Sequence, residues 1–256
     1  MFSSRTGALL LLLLLPAGAW ADKLRLVGDI WPPYTDQSLP HGGLAVELVS
    51  TALARAGYAS EYMEMPWARA LHGIGNGSYD VLVCAWHSRE REAIGAFSTP
   101  YLTNRILFLQ RKDNPVRYRR LDDLLALDIA VVRGYAYERH FDNHSLLRKV
   151  PVLGFDNALH MLYAGRVALA LDDERVARFR LSRESPRLRE ALEFLPRPLS
   201  ENPLHILVSR HRTDHARIVA AFDRALAGMR ADGTYAKLLR AWERDGDSSL
   251  RTTARP

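Results

Sequence analysis

Residues 80–101, DVLVCAWHSREREAIGAFSTPY, decide how the rest of the chain is read. Val81 to Ala85 is a short apolar run bounded by Asp80 and a polar segment, which predicts a buried strand. His87 to Glu92 is strongly polar, and Phe97-Ser98-Thr99-Pro100-Tyr101 turns the chain again. Arg91 therefore falls where a loop beyond a strand end exposes its guanidinium. A planar, permanently charged fork at the carboxyl edge of a sheet suits capture of a small carboxylate. The plain alternative is a solvated surface arginine.

Upstream of this stretch, Leu24 to Asp29 alternates into a first strand, and Trp31-Pro32-Pro33-Tyr34 forces an extended, non-helical loop. Gly43 to Ala56 has helical spacing (Leu44, Leu48, Ala52 and Val49, Leu53, Ala56) and stops at Gly57. Ser60 to Met65 is a second strand, Pro66 to Ile74 a short helix, and Gly75-Asn76-Gly77 the turn into the strand at Val81. Strand, helix, strand, helix, strand predicts α/β layering with parallel pairing. The glycines at 73, 75 and 77 follow a helix and precede a strand, the reverse of a dinucleotide-binding loop.

Downstream, an apolar strand at Ile106–Leu109 opens a second α/β series. It comprises strands at Asp128–Val132, Val150–Leu153, Val167–Leu171 and Leu192–Leu195, with helices at Tyr137–Phe141, Asp156–Ala164 and Asp173–Leu181. Leu204 to Val208 is apolar again, and two amphipathic helices follow near 213–231 and 234–245, parted by Asp232-Gly233-Thr234-Tyr235. Apolar extended segments near 103–110 and 204–209 link the two series. The expected organisation is two lobes, the first from residues 22–104 and 205–245, the second from 105–204. Residues 246–256 read as a flexible tail. One continuous sheet fits the same periodicity.

Met1 to Ala21 reads as a cleaved secretory signal peptide: Arg5 is the basic start, Ala8 to Leu15 the apolar core, and Ala19-Trp20-Ala21 the cleavage site. The apolar run is too short to span a bilayer. Removing 21 of the 256 residues leaves about 235, enough for one large domain or two ordinary lobes. The only cysteine, Cys84, lies inside an apolar run and reads as a buried thiol, so intramolecular disulfides are excluded. Lys and Arg exceed Asp and Glu by 35 to 29. In an exported protein that excess reads as solvated basic faces around Arg117–Arg120, Arg175–Arg189 and the tail, with no nucleic-acid partner; a docking surface or attraction to anionic lipid is the alternative.

In the order of its motifs the chain strongly resembles the family 3 extracellular solute-binding proteins, the amino-acid-binding class of periplasmic binding proteins. Asp29 to Tyr34 forms a strand followed by a Pro-Pro-aromatic loop, and Gly43-Leu44-Ala45-Val46-Glu47-Leu48 opens the first helix. Pro66-Trp67, Gly77-x-x-Asp80, Ser88-x-x-Arg91 and Phe97-Ser98-x-Pro100-Tyr101 follow in turn. Later come Leu121-Asp122-Asp123-Leu124, Val132-Arg133-Gly134, Gly165-Arg166-Val167, Asp172-Asp173, and Asp232-Gly233-Thr234-Tyr235 with Trp242. Each motif is weak alone; their order over residues 23–245 is specific.

The resemblance implies a type II periplasmic-binding-protein fold, with two α/β lobes, each a mostly parallel sheet flanked by helices. Two crossing hinge segments would join them, and the lobes would close on a ligand. It implies that Arg91 grips a ligand carboxylate and that Asp173 receives its ammonium. Trp31, Tyr34 and Trp67 are the aromatic walls. Ser88, Ala85 and Trp86 supply short-range donors and acceptors, Gly134 admits close backbone approach, and Asp29 is a further acceptor. Asp173 is equally a helix N-cap, and Asp172 competes with it for the ligand role. Two departures from the family pattern stand out: Trp86-His87 replaces a small-residue stretch, and Ala168 stands where many relatives carry Asp.

The expected function is capture of a polar amino acid or similar zwitterion in the periplasm by a monomer that delivers it to an ABC importer permease. No metal, cofactor or covalent chemistry is expected. The chief rival is an enzyme on the same fold, a periplasmic cyclohexadienyl dehydratase, which needs a general acid for which Glu174 and His87 are candidates. A third reading is a sensor that presents its bound ligand to a receptor. No nucleophile elbow or His-Glu-x-x-His motif is present, and the pair His211 and His215 reads as solvent-facing.

Overall fold

The structure, a computed structural model, describes residues 23–242. The expected signal peptide, the tail and the last residues of the first lobe lie outside them. Strand β1 (Leu24–Gly28) buries Leu24, Leu26 and Val27 completely. Beyond it the chain folds back on itself, the Trp31 N–H donating to the Thr35 carbonyl at 2.7 Å and the Thr35 N–H returning at 3.1 Å. Helix α1 (Leu44–Arg55) grows from this turn, its first amides bonded to the carbonyls of Pro33 and Tyr34. Gly43 joins the two at φ +105°, and a Cβ there would stand 2.5 Å from the Tyr34 carbonyl oxygen. Only glycine fits that junction.

Strands β2 (Ser60–Glu64) and β3 (Val81–Trp86) flank β1 in parallel, with α2 (Trp67–Gly75) between them in sequence. A single turn, α3 (Arg89–Glu92), is capped by Ser88, whose hydroxyl accepts the Arg91 N–H at 3.3 Å. The short β4 (Gly95–Phe97) and the long β5 (Leu102–Arg111) follow.

The second series repeats the arrangement. It runs β6 (Asp128–Val132), α4 (Arg139–Asn143), β7 (Arg148–Val152), α5 (Phe155–Tyr163) and β8 (Leu169–Asp173), with β7 and β8 parallel to β6 on either side. Helix α6 (Glu174–Leu181) follows β8 without a connecting residue. Then come α7 (Pro186–Ala191), β9 (Leu192–Phe194), β10 (Ser200–Ser209), α8 (His215–Ala231) and a helix over 234–242.

The two parallel groups expected from the sequence are both present, but they do not stand as separate sheets. The linking strands β5 and β10 are ten residues each and pair antiparallel, Leu102 opposite Leu204 and Ile106 opposite Ser200. β10 also pairs β3, and β5 also pairs β8, giving one path, β2-β1-β3-β10-β5-β8-β6-β7. β4 and β9 attach to the outer lengths of β10 and β5.

The apolar core nevertheless divides along the chain. One cluster joins Leu26, Leu48, Val83, Ile206 and Phe222, and a neighbour adds Val27, Ile74 and Leu207. Two others form around Leu109, Leu159 and Ala170 and around Phe108, Phe141 and Leu169. The last helices thus return to pack on the first series, where Phe222 and Met229 are fully buried.

Candidate functional site

A cavity of about 380 Å³ opens where the carboxyl ends of β1, β3, β6 and β8 meet beside the linking strands. Such ends leave a crevice because the chain must turn away from the sheet in different directions. Asp29, Ile30 and Trp31 enter from the turn after β1, Trp67 from the start of α2, and Cys84, Trp86 and Arg91 from β3 and α3. Gly134, Tyr135, Ala136 and Tyr137 face them from the segment after β6, with Asp172 and Asp173 at the end of β8. Ile106 and Leu204 come from the linking strands.

The wall from the first series carries the positive charge. Arg91 donates from Nη1 to the Trp86 carbonyl at 2.6 Å, and its guanidinium carbon lies 5.1 Å from the Trp67 ring centre. The side chain is thus oriented by one carbonyl and one aromatic face. Burial draws its pKa down from the ordinary arginine value, but a guanidinium remains charged. Among the described residues it makes no ion pair with a carboxylate. Trp31 lines the same cavity, its ring centre 4.6 Å from that of Tyr34 and 6.2 Å, edge to face, from that of Trp86.

The opposite wall carries the acids. Asp173 Oδ1 accepts from the Tyr34 hydroxyl at 2.9 Å and caps α6 through the N–H groups of Arg175 and Val176, at 2.9 and 3.1 Å. Its Oδ2 accepts from the Asn104 amide at 3.1 Å. Burial raises the Asp173 carboxyl above the usual range, and these hydrogen bonds counter part of the rise. Asp172 is buried beside it and has one internal partner, the Asp173 N–H at 2.7 Å to Oδ1. Burial, reinforced by the neighbouring Asp173 charge, pushes Asp172 up to about 8. One acid stands on the Arg91 side: Asp29, just past the end of β1, is also raised by burial, with the Glu64 charge adding to it.

Of the ten residues singled out in the sequence, seven line the cavity: Arg91, Asp173, Trp31, Trp67, Asp29, Trp86 and Gly134. The other three do not. Tyr34 is fully buried behind Trp31, because the turn after β1 directs its ring into the core and its hydroxyl to Asp173. Ala85 is packed into the core with Val27, Ile74 and Leu207. Ser88 serves as the cap of α3 and orients Arg91 through the backbone. Gly134 is held at φ +81° with open space where a Cβ would be, so its requirement is the backbone angle alone.

The enzyme candidates fall elsewhere. His87 pairs with Glu92 at 2.7 Å, and Glu174 pairs with Arg105 and Arg178, each at 2.8 Å; neither histidine nor glutamate lines the cavity. Sequence reasoning passed over Tyr135, Tyr137 and Asn104. The alternation of Tyr135 and Tyr137 just past a strand end was the available signal for the first two. Asn104 had none, because its role depends on β5 passing between Trp86 and Asp173.

Residues 26–245 match the model for bacterial extracellular solute-binding proteins, family 3. The chain belongs to this family. A curated relative, the ABC transporter arginine-binding protein 1 of Escherichia coli (strain K12), is 28% identical over 167 residues, covering 64% of this chain and 66% of the relative. The match thus spans just under two thirds of that protein. Among solved structures, an ancestral arginine-binding protein bound to arginine has a TM-score of 0.65 at 23% identity, over 86% of this chain and 97% of that one. An ancestral amino acid-binding protein described as a precursor of cyclohexadienyl dehydratase has a TM-score of 0.63 at 21% identity, over 86% and 94%. At these identities the likeness establishes the shared fold. For the family 3 chain it agrees with the mixed α/β architecture, two parallel groups bridged by long antiparallel strands.

Proposed function

We propose that this family 3 protein captures a polar amino acid or similar small zwitterion in the periplasm and presents it to an ABC importer. The observation that carries the reading is the polarity of the cavity: on one wall a half-buried guanidinium that makes no ion pair with a carboxylate among the described residues, and on the other two adjacent carboxyls at the end of β8. A ligand carboxylate meets Arg91, and its ammonium meets the acids. Trp31, Trp67 and Trp86 enclose the remainder.

The two walls belong to different series of the chain, so a ligand between them binds best when they approach. Closure by a change in the linking strands β5 and β10 then follows from differential affinity for the closed state. On this reading the first lobe comprises residues 22–104 and 205–245 and the second 105–204. Residues 1–21 serve as the export signal, and the closed monomer is what the permease would recognise. The likeness to arginine-binding relatives puts basic amino acids first among the ligands to try.

The test is thermal unfolding of the refolded, ligand-free protein against a panel of amino acids, small carboxylates and polyamines. Ligand at one hundred times its dissociation constant stabilises the fold by about 2.7 kcal/mol. A selective shift in melting temperature that vanishes in Arg91→Ala supports the reading. No shift with any panel member sinks it.

One observation favours a second reading. A buried carboxyl pushed up to about 8, as Asp172 is, is protonated at neutral pH and could act as a general acid. Turnover of prephenate, absent in Asp172→Asn, would move the protein to the dehydratases.

A further inference from the structure

A second recess, about 390 Å³ in volume, lies at the opposite edge of the second parallel group, where β6, β7 and β8 begin and β5 ends. It shares no lining residue with the cavity described above. β6 runs from Asp128 in the recess to Val132, two residues short of Gly134 in the first cavity. At about 3.3 Å per residue the two sites stand roughly 15 Å apart.

Three guanidinium groups line the recess from three elements: Arg111 at the end of β5, Arg148 at the start of β7 and Arg166 in the turn before β8. Two of them are held in place. Arg148 stands opposite Asp128 in the register of β6 and β7, their side chains pair at 3.0 Å, and its Nη2 donates to the Ala126 carbonyl. Arg111 grips Asp113 with Nε, at 2.8 Å, and with Nη2. Neither arginine spends its Nη1 in a hydrogen bond among the described residues. The Arg166 side chain is exposed and has no hydrogen-bond or ion-pair partner among the described residues. Gly165 brings this turn onto Arg111. Its φ is +69°, and a Cβ there would stand 2.5 Å from Arg111 Nη1, so the absence of a side chain lets that guanidinium lie against the turn that carries Arg166.

We propose that this recess is a second ligand site, one that takes a phosphate group. Three guanidiniums against the carboxylates of Asp113 and Asp128 leave one net positive charge, which favours an anion. A tetrahedral oxyanion offers three oxygens to donors arriving from three directions, whereas a carboxylate offers two. Arg111 and Arg148 keep their aspartates when it binds, because each presents an unused Nη1; Arg166 adds its whole fork. The volume falls within the range of small-molecule sites and exceeds what a bare phosphate ion fills, so the group enters with a small body attached. That body is a free phosphomonoester or the headgroup of an anionic lipid, two sources of one chemistry. The site stands whatever the first cavity captures.

The first probe is sn-glycerol 3-phosphate, titrated calorimetrically at constant ionic strength, with glycerol as the uncharged control. Arg91 also attracts anions, so the titration uses Arg91→Ala as well as the wild-type protein. Saturable binding to one site that persists in Arg91→Ala is expected. Adding Arg166→Gln should weaken it at least about fivefold and, because the side chain is exposed, leave the melting temperature unchanged. Arg224→Gln removes the same charge from an exposed position on α8 and should stay within about twofold. Co-sedimentation with vesicles of phosphatidylglycerol, against phosphatidylcholine, separates the two sources. Vesicle binding that is lost in Arg166→Gln and kept in Arg224→Gln, with no saturable binding of glycerol 3-phosphate, assigns the site to a lipid headgroup; the reverse assigns it to a free phosphomonoester. If neither probe binds, if Arg91→Ala alone abolishes binding, or if the Arg166 and Arg224 variants weaken it equally, the second site falls and the reading of the first cavity is untouched.

Discussion

The Tyr34 hydroxyl donates to Asp173 Oδ1 at 2.9 Å, joining residues 139 positions apart in the sequence, and both side chains are buried. The bond ties the turn after β1 to the end of β8, so it links the two series of the chain directly behind the cavity. It continues on the other oxygen: Asn104 donates to Asp173 Oδ2 at 3.1 Å and accepts from Trp86 Nε1 at 2.8 Å. Tyr34, Asp173, Asn104 and Trp86 therefore form one hydrogen-bonded chain through four elements. It fixes the Trp86 indole on the Arg91 wall relative to the acids opposite.

Tyr34→Phe removes one donor from a buried carboxylate while keeping the ring. The expected cost is about 1–2 kcal/mol, or a fall of roughly 2–6 °C in melting temperature for a chain of this size. Calorimetry of the ligand-free variant measures it. An unchanged melting temperature would mean that the hydroxyl contributes nothing to holding β8.

Asn104→Leu should be worse than Trp86→Phe, because it strips partners from two side chains at once. Loss of the indole donor leaves Asn104 its bond to Asp173, whereas loss of Asn104 leaves both the indole N–H and Asp173 Oδ2 unpaired. About 1 kcal/mol is expected for the tryptophan change and at least twice that for the asparagine change. Because the two residues share a bond, the double variant should cost less than the sum of the singles. Urea titration of all three variants checks the order, and additivity would show that the chain is not coupled.

Much of this fold was legible because its signals are local. The spacing of Leu44, Leu48 and Ala52 places α1 within a residue or two, and Asp128–Val132 coincides with β6. Elements that depend on distant partners were not legible. β4 is three residues long and forms by pairing Gly95–Phe97 with Leu207–Ser209, more than a hundred residues away. The start of β10, Ser200–Pro203, is polar and contains a proline, yet it pairs with Thr103–Ile106. At the site, Arg91 and Asp173 could be placed by motif order. A tryptophan and a tyrosine four residues apart or fewer read alike in sequence, so Trp31 on the wall and Tyr34 in the core were not separable. Asp172 and Asp173 differ by one step of strand alternation, and only the contacts of each carboxyl tell which one is tied to the first series.

Arg91→Lys should fail to rescue what Arg91→Ala loses. The guanidinium spends one nitrogen on the Trp86 carbonyl and lies over Trp67, leaving its other N–H groups to face the cavity in a fixed plane. A lysine ammonium is a flexible point charge that cannot keep the carbonyl bond and grip a carboxylate with two parallel bonds. The expected loss of affinity for any carboxylate-bearing ligand is roughly tenfold or more. Titration calorimetry on the panel member that binds wild type tests it, and full recovery in the lysine variant would show that charge alone suffices.

Stability of the empty protein should fall as pH rises from about 4 to about 8, and the acids of the cavity are the reason. Asp172 titrates near 4 in the unfolded chain and at about 8 when folded, because burial disfavours its charge. Below both values the carboxyl is protonated in either state and makes no difference. Between them the folded protein keeps a proton that the unfolded chain has lost, so each added pH unit costs at most about 1.4 kcal/mol from this group, and the penalty levels off above 8. Burial raises Asp173 and Asp29 too, with the same sign. Asp80 acts in the opposite sense. Burial pulls its carboxyl upward, but hydrogen bonds from Arg25 and Arg212 outweigh this and hold it below the ordinary value. Its contribution is present above about 4 and is lost only as the pH falls further. Melting curves of wild type and Asp172→Asn at pH 4.5, 6, 7.5 and 9 separate these effects. The two curves should converge at the acid end and part toward pH 8, with the variant the more stable; parallel curves would mean that Asp172 is not held neutral by its burial.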